Sequence, residues 1–407
     1  MRSVNPETEF IIGIDFGSSE TSAAFCDLKS DYKKDLDILP GLKVIQSAVA
    51  ILAQDGKETI CIGETAIQKA LCSKEFQIGF RKRPSKMNLS ERNRMVAFMH
   101  GVYVEILHCH PDFATRPHVI YISAPTSDLV FEKEEKEYLK MAEDAGLPIA
   151  GIIKRYSAAI FGAMSRCDSK VNSKTNGFLL VDYGANTIDY VYLKLKGDLS
   201  KPIYGGCPLG ASAIERTLLR YAMDNPTDSF MADFARLYGD DEDSYPYKLL
   251  LDRFRMAKES FYAQKCPVFS VSLDYGFLTS MEEKPIWGFG GICLPKEKIN
   301  QILGCNNRDG YIGQVKEYVK YLRNNILVDN KVDCVYIIGG ASRMDFVRQI
   351  FMEVFNLEAF QCVRDCYPSV SISQGMVQLL AYAHNVYEAN PYYRAQELNI
   401  LYEYARD

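Results

Sequence analysis

The sequence lacks the long apolar segment that a membrane-spanning helix requires. It contains no run of about 18 or more apolar residues, and its first residues, MRSVNPETEF, lack the apolar stretch of a secretory signal. We therefore expect a cytoplasmic protein that does not bind a membrane.

A surplus of positive charge is also absent. The 407 residues carry a formal net charge of -5, whereas proteins that bind nucleic acids usually present clustered basic side chains to the phosphates. The segment FRKRPSK at 80–86 is the densest basic group, and a short group of this kind is typical of a solvated loop. We expect no nucleic acid among the partners.

The cysteines show no regular spacing. All 12 are scattered singly, without the pattern of a disulfide framework or a zinc site, and in a reducing cytosol they are expected to be buried thiols. His108, Cys109, His110 and His118 could supply metal ligands, but no second pair of ligands matches them. The histidine group therefore does not predict a metal site.

A flexible linker is missing as well. The composition, with 47% hydrophobic and 24% charged residues, is typical of a soluble globular protein, and the length exceeds the roughly 100–200 residues of one domain. Because no Pro-, Gly- or Ser-rich stretch divides the chain, we expect two units that share an interface.

One motif is present twice. The segments IIGIDFG at 11–17 and LLVDYG at 179–184 each join an aliphatic run to an aspartate, an aromatic residue and a glycine, and a β-rich run follows each. They predict two β-hairpins, at 10–28 and 178–195. A repeat at such a long interval predicts a duplicated domain.

The remaining periodic segments predict an α/β fold in which mixed sheets are flanked by helices. A strand at 119–127 precedes a helix at 131–145 that Gly146 ends. Ser342 and Asp345 predict a capping box for a helix that follows a Gly-Gly turn. The other predicted elements are a strand at 151–156 and helices at 157–165, 212–221, 247–263, 311–325 and 371–383.

The repeated turns suit phosphate binding. Gly17 and Gly184 allow sharp turns whose successive amides form a concavity for anions, and hydroxyl groups such as that of Thr187 add donors. Asp15 and Asp182, on facing walls of a cleft, would bracket a magnesium ion bound to the β- and γ-phosphates.

A third turn would complete a nucleotide site. Gly339 and Gly340 follow a buried strand and would allow a ligand to approach the backbone closely. Arg343 could stack its guanidinium on an adenine ring.

Taken together, these motifs resemble the nucleotide-binding domain shared by actin, sugar kinases and the 70-kDa heat-shock chaperones. IIGIDFGSSETS is similar to the first phosphate motif, FLLVDYGANTIDYVYL to the second and VYIIGGASRMDFVRQI to the adenosine motif. AGLPIAGIIKRYSAAIFGAM, PLGASAIERTLLRYA and FRMAKESF are similar to stretches of the heat-shock branch. The resemblance extends over about residues 9–385 and is nearest to a stand-alone heat-shock-70-like nucleotide-binding domain.

The resemblance implies a duplicated actin-like ATPase fold with a nucleotide cleft between two lobes. Lobe I would comprise residues 1–178, lobe II residues 179–385, and a tail residues 386–407. ATP or ADP with Mg2+ would occupy the cleft, and Asp15 and Asp182 would face the metal. The implied phosphate and adenosine contacts are Gly17, Ser18, Ser19, Gly184, Ala185, Asn186, Thr187, Lys258, Gly339, Gly340, Ser342 and Arg343. Lys82 would lie near the γ-phosphate, with Arg81 as the alternative.

Departures from the pattern concern hydrolysis. Lys154 and Arg155 replace the Asn-Glu pair of the chaperones, and an arginine cannot act as a base at neutral pH. Ala185 and Asn186 replace two glycines of the second phosphate motif, which narrows the approach to phosphate. Binding needs amides and a metal anchor, and both remain, whereas turnover needs an aligned water. We therefore expect slow or absent hydrolysis of ATP to ADP and phosphate.

The expected function is a nucleotide-dependent conformational switch that is read by a protein partner or by self-association. No peptide-binding β-sandwich follows the resemblance, so we do not expect this chain to hold unfolded peptides. An actin-like filament ATPase, a nucleotide-locked scaffold and a small-molecule kinase are the alternatives. A kinase would require an aspartate base, for which Asp128 and Asp144 are the candidates.

Overall fold

The computed structural model describes residues 8–54, 56–80, 84–124, 131–167, 176–195, 202–239, 241–242, 244–263, 266–273, 290–304 and 308–389. Within these ranges the protein is an α/β structure with several sheets, as the sequence predicts. The strands are β1 (Phe10–Phe16), β2 (Glu20–Asp27), β3 (Tyr32–Asp35), β4 (Val44–Gln46), β5 (Ala48–Gln54), β6 (Lys57–Ile62), β7 (Glu75–Ile78), β8 (His118–Ala124), β9 (Ile149–Lys154), β10 (Gly177–Tyr183), β11 (Ile188–Lys194), β12 (Ile203–Cys207), β13 (Phe269–Leu273), β14 (Gly290–Leu294), β15 (Cys334–Ile338) and β16 (Cys362–Arg364).

Helices connect and cover these strands. They are α1 (Gly63–Gln68), α2 (Leu89–Cys109), α3 (Asp112–Thr115), α4 (Phe131–Asp144), α5 (Arg155–Cys167), α6 (Ser212–Asp224), α7 (Ser229–Tyr238), α8 (Tyr245–Tyr262), α9 (Lys296–Ile302), α10 (Tyr311–Tyr321), α11 (Asp345–Phe355) and α12 (Ser371–Ala389). None of the helices within the described ranges is both long and apolar enough to cross a membrane.

Two sheets have the same strand order. The first runs β3-β2-β1-β8-β9, with β4 also paired to β2, and the second runs β12-β11-β10-β15-β16. In each sheet the central strand pairs antiparallel with the strand that follows it in sequence and parallel with a later strand. Both predicted hairpins are therefore confirmed.

The central strands explain the placement of the repeated aspartates. Side chains alternate between the two faces of a strand. Ile12 and Ile14 belong to the outer core of the first sheet, and Leu179 and Val181 to that of the second. The residues that alternate with these lie on the opposite face of each sheet, which we call the inner face. They include Asp15 on β1 and Asp182 on β10.

Helices α5 and α12 fill the space between the inner faces. One buried cluster joins Ile11 of β1, Leu180 of β10, Ala159 of α5 and Met376 of α12. The two helices cross closely at Gly375, where an added Cβ would lie 1.8 Å from the carbonyl oxygen of Ala158. Residues of both sheets and both helices therefore belong to one apolar cluster.

Although α12 lies in the predicted second unit, it packs on the first sheet. The Oγ atoms of Ser373 and Ser22 are 3.0 Å apart, and Val377 and Ala381 share a small buried cluster with Ala24. Sequence order alone therefore does not give the packing of this helix.

Two local predictions need correction. The predicted strand at 151–156 ends at Lys154, and Arg155 already begins α5. The predicted capping box is wrong, because a 3-10 turn at Gly340–Arg343 comes before α11. The N-cap residue of α11 is therefore Met344, not Ser342, and it makes no side-chain capping hydrogen bond. By contrast, Gly146, with φ +78°, follows α4 as predicted.

Candidate ligand-binding cleft

A cleft opens where the carboxyl ends of β1, β10 and β15 meet. Its empty volume, including the part open to solvent, is about 970 Å³. Ligands of α/β proteins commonly bind at such strand ends. The lining residues are Asp15, Gly17, Ser18, Ser19, Glu20, Arg155, Asp182, Gly184, Ala185, Ala211, Glu215, Arg255, Lys258, Glu259, Tyr262, Gly339, Gly340, Ala341, Arg343, Met344, Pro368, Ser369 and Ile372.

The first turn, between β1 and β2, is held by its carbonyl groups. Ser47 Oγ donates to the carbonyl oxygen of Gly17 at 2.7 Å, and the amide of Phe80 donates to that of Ser18 at 3.0 Å. Among the residues that the structure describes, no backbone acceptor is bonded to the amides of Ser18 and Ser19. The turn is thus fixed while two donors remain for a ligand.

The second turn, between β10 and β11, is arranged similarly. The amide of Ala211 donates to the carbonyl oxygen of Gly184 at 3.1 Å, and that of Ser212 donates to Ala185 at 2.7 Å. Within the described ranges, no backbone acceptor is bonded to the amides of Ala185 and Asn186. This turn also retains donors for an anion.

The third turn brings the backbone of β15 against the second aspartate. Gly339 has φ +84°, and a Cβ there would lie 2.6 Å from Asp182 Oδ1 and 2.4 Å from the carbonyl oxygen of Tyr183. Only glycine fits this conformation and this space. The Gly-Gly motif therefore has a structural reason in the close approach of β10 and β15.

Arg155 connects the two repeated turns. Its Nη1 donates to Asp15 Oδ1 at 2.8 Å and its Nη2 donates to Asp182 Oδ2 at 3.2 Å. The exposed fractions of the three side chains are 14% for the arginine and 7% and 9% for the aspartates. Being the first residue of α5, Arg155 reaches both inner faces at once.

Neighbouring carboxylates stabilise the positive charge of Arg155. Burial would by itself lower the pKa of this guanidinium, but the carboxylates of Asp15, Asp182 and Asp189 outweigh burial and raise the pKa above its usual value. Arg155 is therefore a permanent cation between two carboxylates.

The bridge leaves hydrogen-bonding capacity unused. Arg155 Nε and Asp182 Oδ1 are buried without a hydrogen-bond partner among the described residues. A guanidinium carries five N–H donors, of which the two contacts with the aspartates use two. Within the described part of the chain, one N–H on Nη1 and one on Nη2 therefore remain for a ligand.

The carboxylates as arranged do not fit a magnesium ion between them. Both accept hydrogen bonds from Arg155, and Asp15 also accepts one from Ser123 Oγ. A divalent ion in that position would meet a fixed positive charge. In the described part of the chain, no group of three His, Cys, Asp or Glu side chains is placed to hold a metal ion. The histidine group near His110 is therefore not arranged as a metal site either.

Ion pairs that involve α8 form another part of the lining. Lys258 Nζ donates to Glu215 Oε2 at 2.7 Å, while Arg255 contacts Asp252 at 2.9 Å and Glu259 at 2.6 Å. These cations are therefore already paired. Arg343 is exposed, and its contact is with a neutral group, the hydroxyl of Ser369 at 3.1 Å.

Glu20 places a buried carboxyl group at the first turn. Burial raises the pKa of its carboxyl, and the nearby charge of Glu259 adds to this effect, while Ser369, Arg343 and Arg255 act in the opposite direction. The protonated, neutral form of Glu20 is therefore favoured over a wider pH range than in an exposed glutamate.

Most of the predicted site residues line this one cleft, but a few do not. Asn186 lines a neighbouring cavity, Thr187 Oγ1 donates to Asp189 Oδ2 at 2.7 Å, and Ser342 is buried with 1% exposure. Lys82 and Arg81 lie outside the described residues, as does Asp128. The other candidate kinase base, Asp144, is exposed at the last residue of α4.

Sequence reasoning missed several cleft residues. Glu215, on α6, lies within the stretch PLGASAIERTLLRYA but was not singled out. Ser123, on β8, does not line the cleft but donates a hydrogen bond to Asp15, and no motif marked it. Glu20 directly follows the first turn in the segment GSSE, so its position alone was a usable signal. Arg155 was predicted to replace a glutamate, but its contact with both aspartates depends on where α5 begins.

No protein-family model matches the chain, and no curated protein matches it in sequence.

Proposed function

We propose that this protein belongs to the superfamily of actin, sugar kinases and the 70-kDa heat-shock chaperones and binds ATP or ADP in the cleft. The observation that carries the proposal is the convergence of the two Asp-aromatic-Gly turns and the Gly339-Gly340 turn on one cavity. The matching strand order of the two sheets supports a duplicated, two-lobed actin-like fold.

The cleft offers suitable groups for each part of a nucleotide. Unbonded amides at the first and second turns suit the phosphates. The side chains of Tyr262, Met344 and Arg343 also line the cleft and suit a flat base.

Slow or absent hydrolysis is the proposed catalytic behaviour. Arg155 lies between the aspartates and cannot accept a proton from water. Magnesium remains part of the prediction from resemblance, but the arrangement of Asp15 and Asp182 does not favour it. Among the alternatives, the contacts of Arg155 with both aspartates favour a scaffold that keeps its nucleotide bound without turnover.

Signalling would follow from closure of the cleft. The phosphate turns lie on different sheets, so a bound nucleotide would contact both and favour one relative position of the two. A protein partner or a second copy in the cytoplasm would read that position. A small-molecule kinase has less support, because the described candidate base, Asp144, is exposed on α4.

A charge substitution tests the proposal. Ser19→Asp places a carboxylate on the first turn, while Ser19→Asn has nearly the same shape without the charge. In calorimetric titration with ATP, we expect Ser19→Asp to weaken binding by at least about tenfold, or about 1.4 kcal/mol, and Ser19→Asn to have a much smaller effect. Equal affinities for both variants, or no binding by folded wild-type protein, would contradict the proposal.

A further inference from the structure

The position between Asp15 and Asp182 is filled by a side chain of the protein itself. The guanidinium of Arg155 lies within hydrogen-bond distance of both carboxylates, at 2.8 and 3.2 Å. These are the carboxylates to which the resemblance assigns a metal ion. The protein thus has its own cation at the centre of the cleft.

This cation cannot easily be displaced. Removing a guanidinium from two largely buried carboxylates would leave uncompensated charges in a poorly solvated place. Arg155 is also held by its helix: the next residue, Tyr156, stacks on Tyr204 with ring centroids 5.7 Å apart and an angle of 5° between the planes. The cleft is therefore built around the arginine.

A divalent ion would gain little at this position. Two carboxylates can neutralise one ion of charge +2, but here half of their charge is already balanced by Arg155. The ion would have to displace the guanidinium or share the carboxylates with it, and like charges at contact distance repel strongly. The phosphates of a nucleotide would instead meet the remaining N–H groups of Arg155.

From these contacts, and resting on the proposed function, we infer that the cleft binds its nucleoside di- or triphosphate as the metal-free anion. Arg155 takes the place of the divalent ion and is the residue that determines this specificity. The amides of the two turns supply the other contacts to the phosphates.

The first experiment compares wild-type affinity in two buffers. Binding of ATP and of ADP is measured by calorimetry in excess EDTA and in excess Mg2+. We expect the dissociation constants in the two buffers to agree within about threefold. Binding that is about tenfold or more tighter with Mg2+ would overturn the inference and leave the proposed function intact, whereas no binding in either buffer would overturn the proposed function itself.

The second experiment changes the arginine. Arg155→Met frees both carboxylates, and we expect it to bind ATP only weakly in EDTA and to recover at least about tenfold in Mg2+. Arg343→Met is the matched control, since this arginine lines the same cleft without contacting either aspartate. Its loss should weaken binding equally in the two buffers.

Two results would remove Arg155 from this role. One is an Arg155→Met variant whose binding is as independent of Mg2+ as that of the wild type, and the other is an Arg343→Met variant that becomes just as dependent on Mg2+. If Arg155→Met does not fold, Arg155→Lys replaces it, because lysine keeps the charge but lacks the planar fork that reaches both carboxylates. Arg155→Lys should show a smaller gain with Mg2+, and no gain would count against the role.

Discussion

Lys258 of α8 and Glu215 of α6 form a buried ion pair, with Nζ and Oε2 2.7 Å apart and exposed side-chain fractions of 9% and 5%. Lys258 also donates to the carbonyl oxygen of Ala211, next to the second turn, at 3.2 Å. The pair therefore connects the helical wall of the cleft with the segment that holds the phosphate turn.

Breaking this pair should be costly. Lys258→Met leaves Glu215 buried without its partner, so we expect the free energy of unfolding to fall by about 3 kcal/mol. Chemical denaturation measures the loss. The double variant Glu215→Gln with Lys258→Met removes the stranded charge and should recover much of the stability, and a double variant as unstable as the single one would show that the charge is not the cause.

Removal of the carboxylate at Glu20 should increase stability near neutral pH. Burial and the charge of Glu259 raise its pKa above the ordinary value of 4.5, so the folded state binds this proton more tightly than the unfolded state. The resulting contribution to stability is present below about pH 4.5 and is lost as the pH rises through the folded-state pKa.

Glu20→Gln should therefore stabilise the protein above that range, relative to the wild type, and the difference should shrink towards pH 4.5. The measurement is the free energy of unfolding against pH for both proteins. Parallel curves for the two proteins would contradict the prediction.

Gly339→Ala should disturb the second aspartate. The added Cβ would clash with Tyr183 and Asp182 and would also occupy a positive φ. Gly146→Ala is the control, since Gly146 has a similar φ of +78° but nothing within 4 Å. We expect a loss of about 1 kcal/mol for Gly146→Ala and a clearly larger loss, with weaker ATP binding, for Gly339→Ala. Equal losses in thermal unfolding would show that no contact at Gly339 matters.

Gly375→Ala should separate α12 from α5. Its Cβ would lie 1.8 Å from the carbonyl oxygen of Ala158, so the helices must move apart and lose buried contacts, at a cost of about 2 kcal/mol or more. Asn385→Ala, at an exposed position of the same helix, should change stability by less than about 0.5 kcal/mol. Urea denaturation of both variants measures these two losses. A Gly375→Ala variant as stable as the wild type would mean that α12 and α5 can move apart at little cost.

The sequence predicted the two hairpins and the residues that surround the cleft because these depend on local pattern. Alternation along a strand fixes the face of each residue, and the aspartates lie one position from aliphatic residues of the outer cores. Glycine pairs at strand ends mark turns for a similarly local reason.

The contacts that decide the chemistry were not predictable in the same way. Arg155 contacts both aspartates because α5 begins directly after β9 and lies between the sheets. Likewise, Ser342 lost its predicted capping role because a 3-10 turn delays the start of α11. Such features result from packing between segments that are distant in sequence.

The position of α12 bears on how the chain folds during synthesis. Its Ser373 contacts Ser22 of β2 across a separation of 351 residues, and its apolar side chains cover the inner face of the first sheet. The ribosome releases the N-terminal strands long before this helix. The part of the first sheet that α12 covers must therefore stay uncovered, or be shielded by other factors in the cell, until translation has passed residue 389 and α12 can dock.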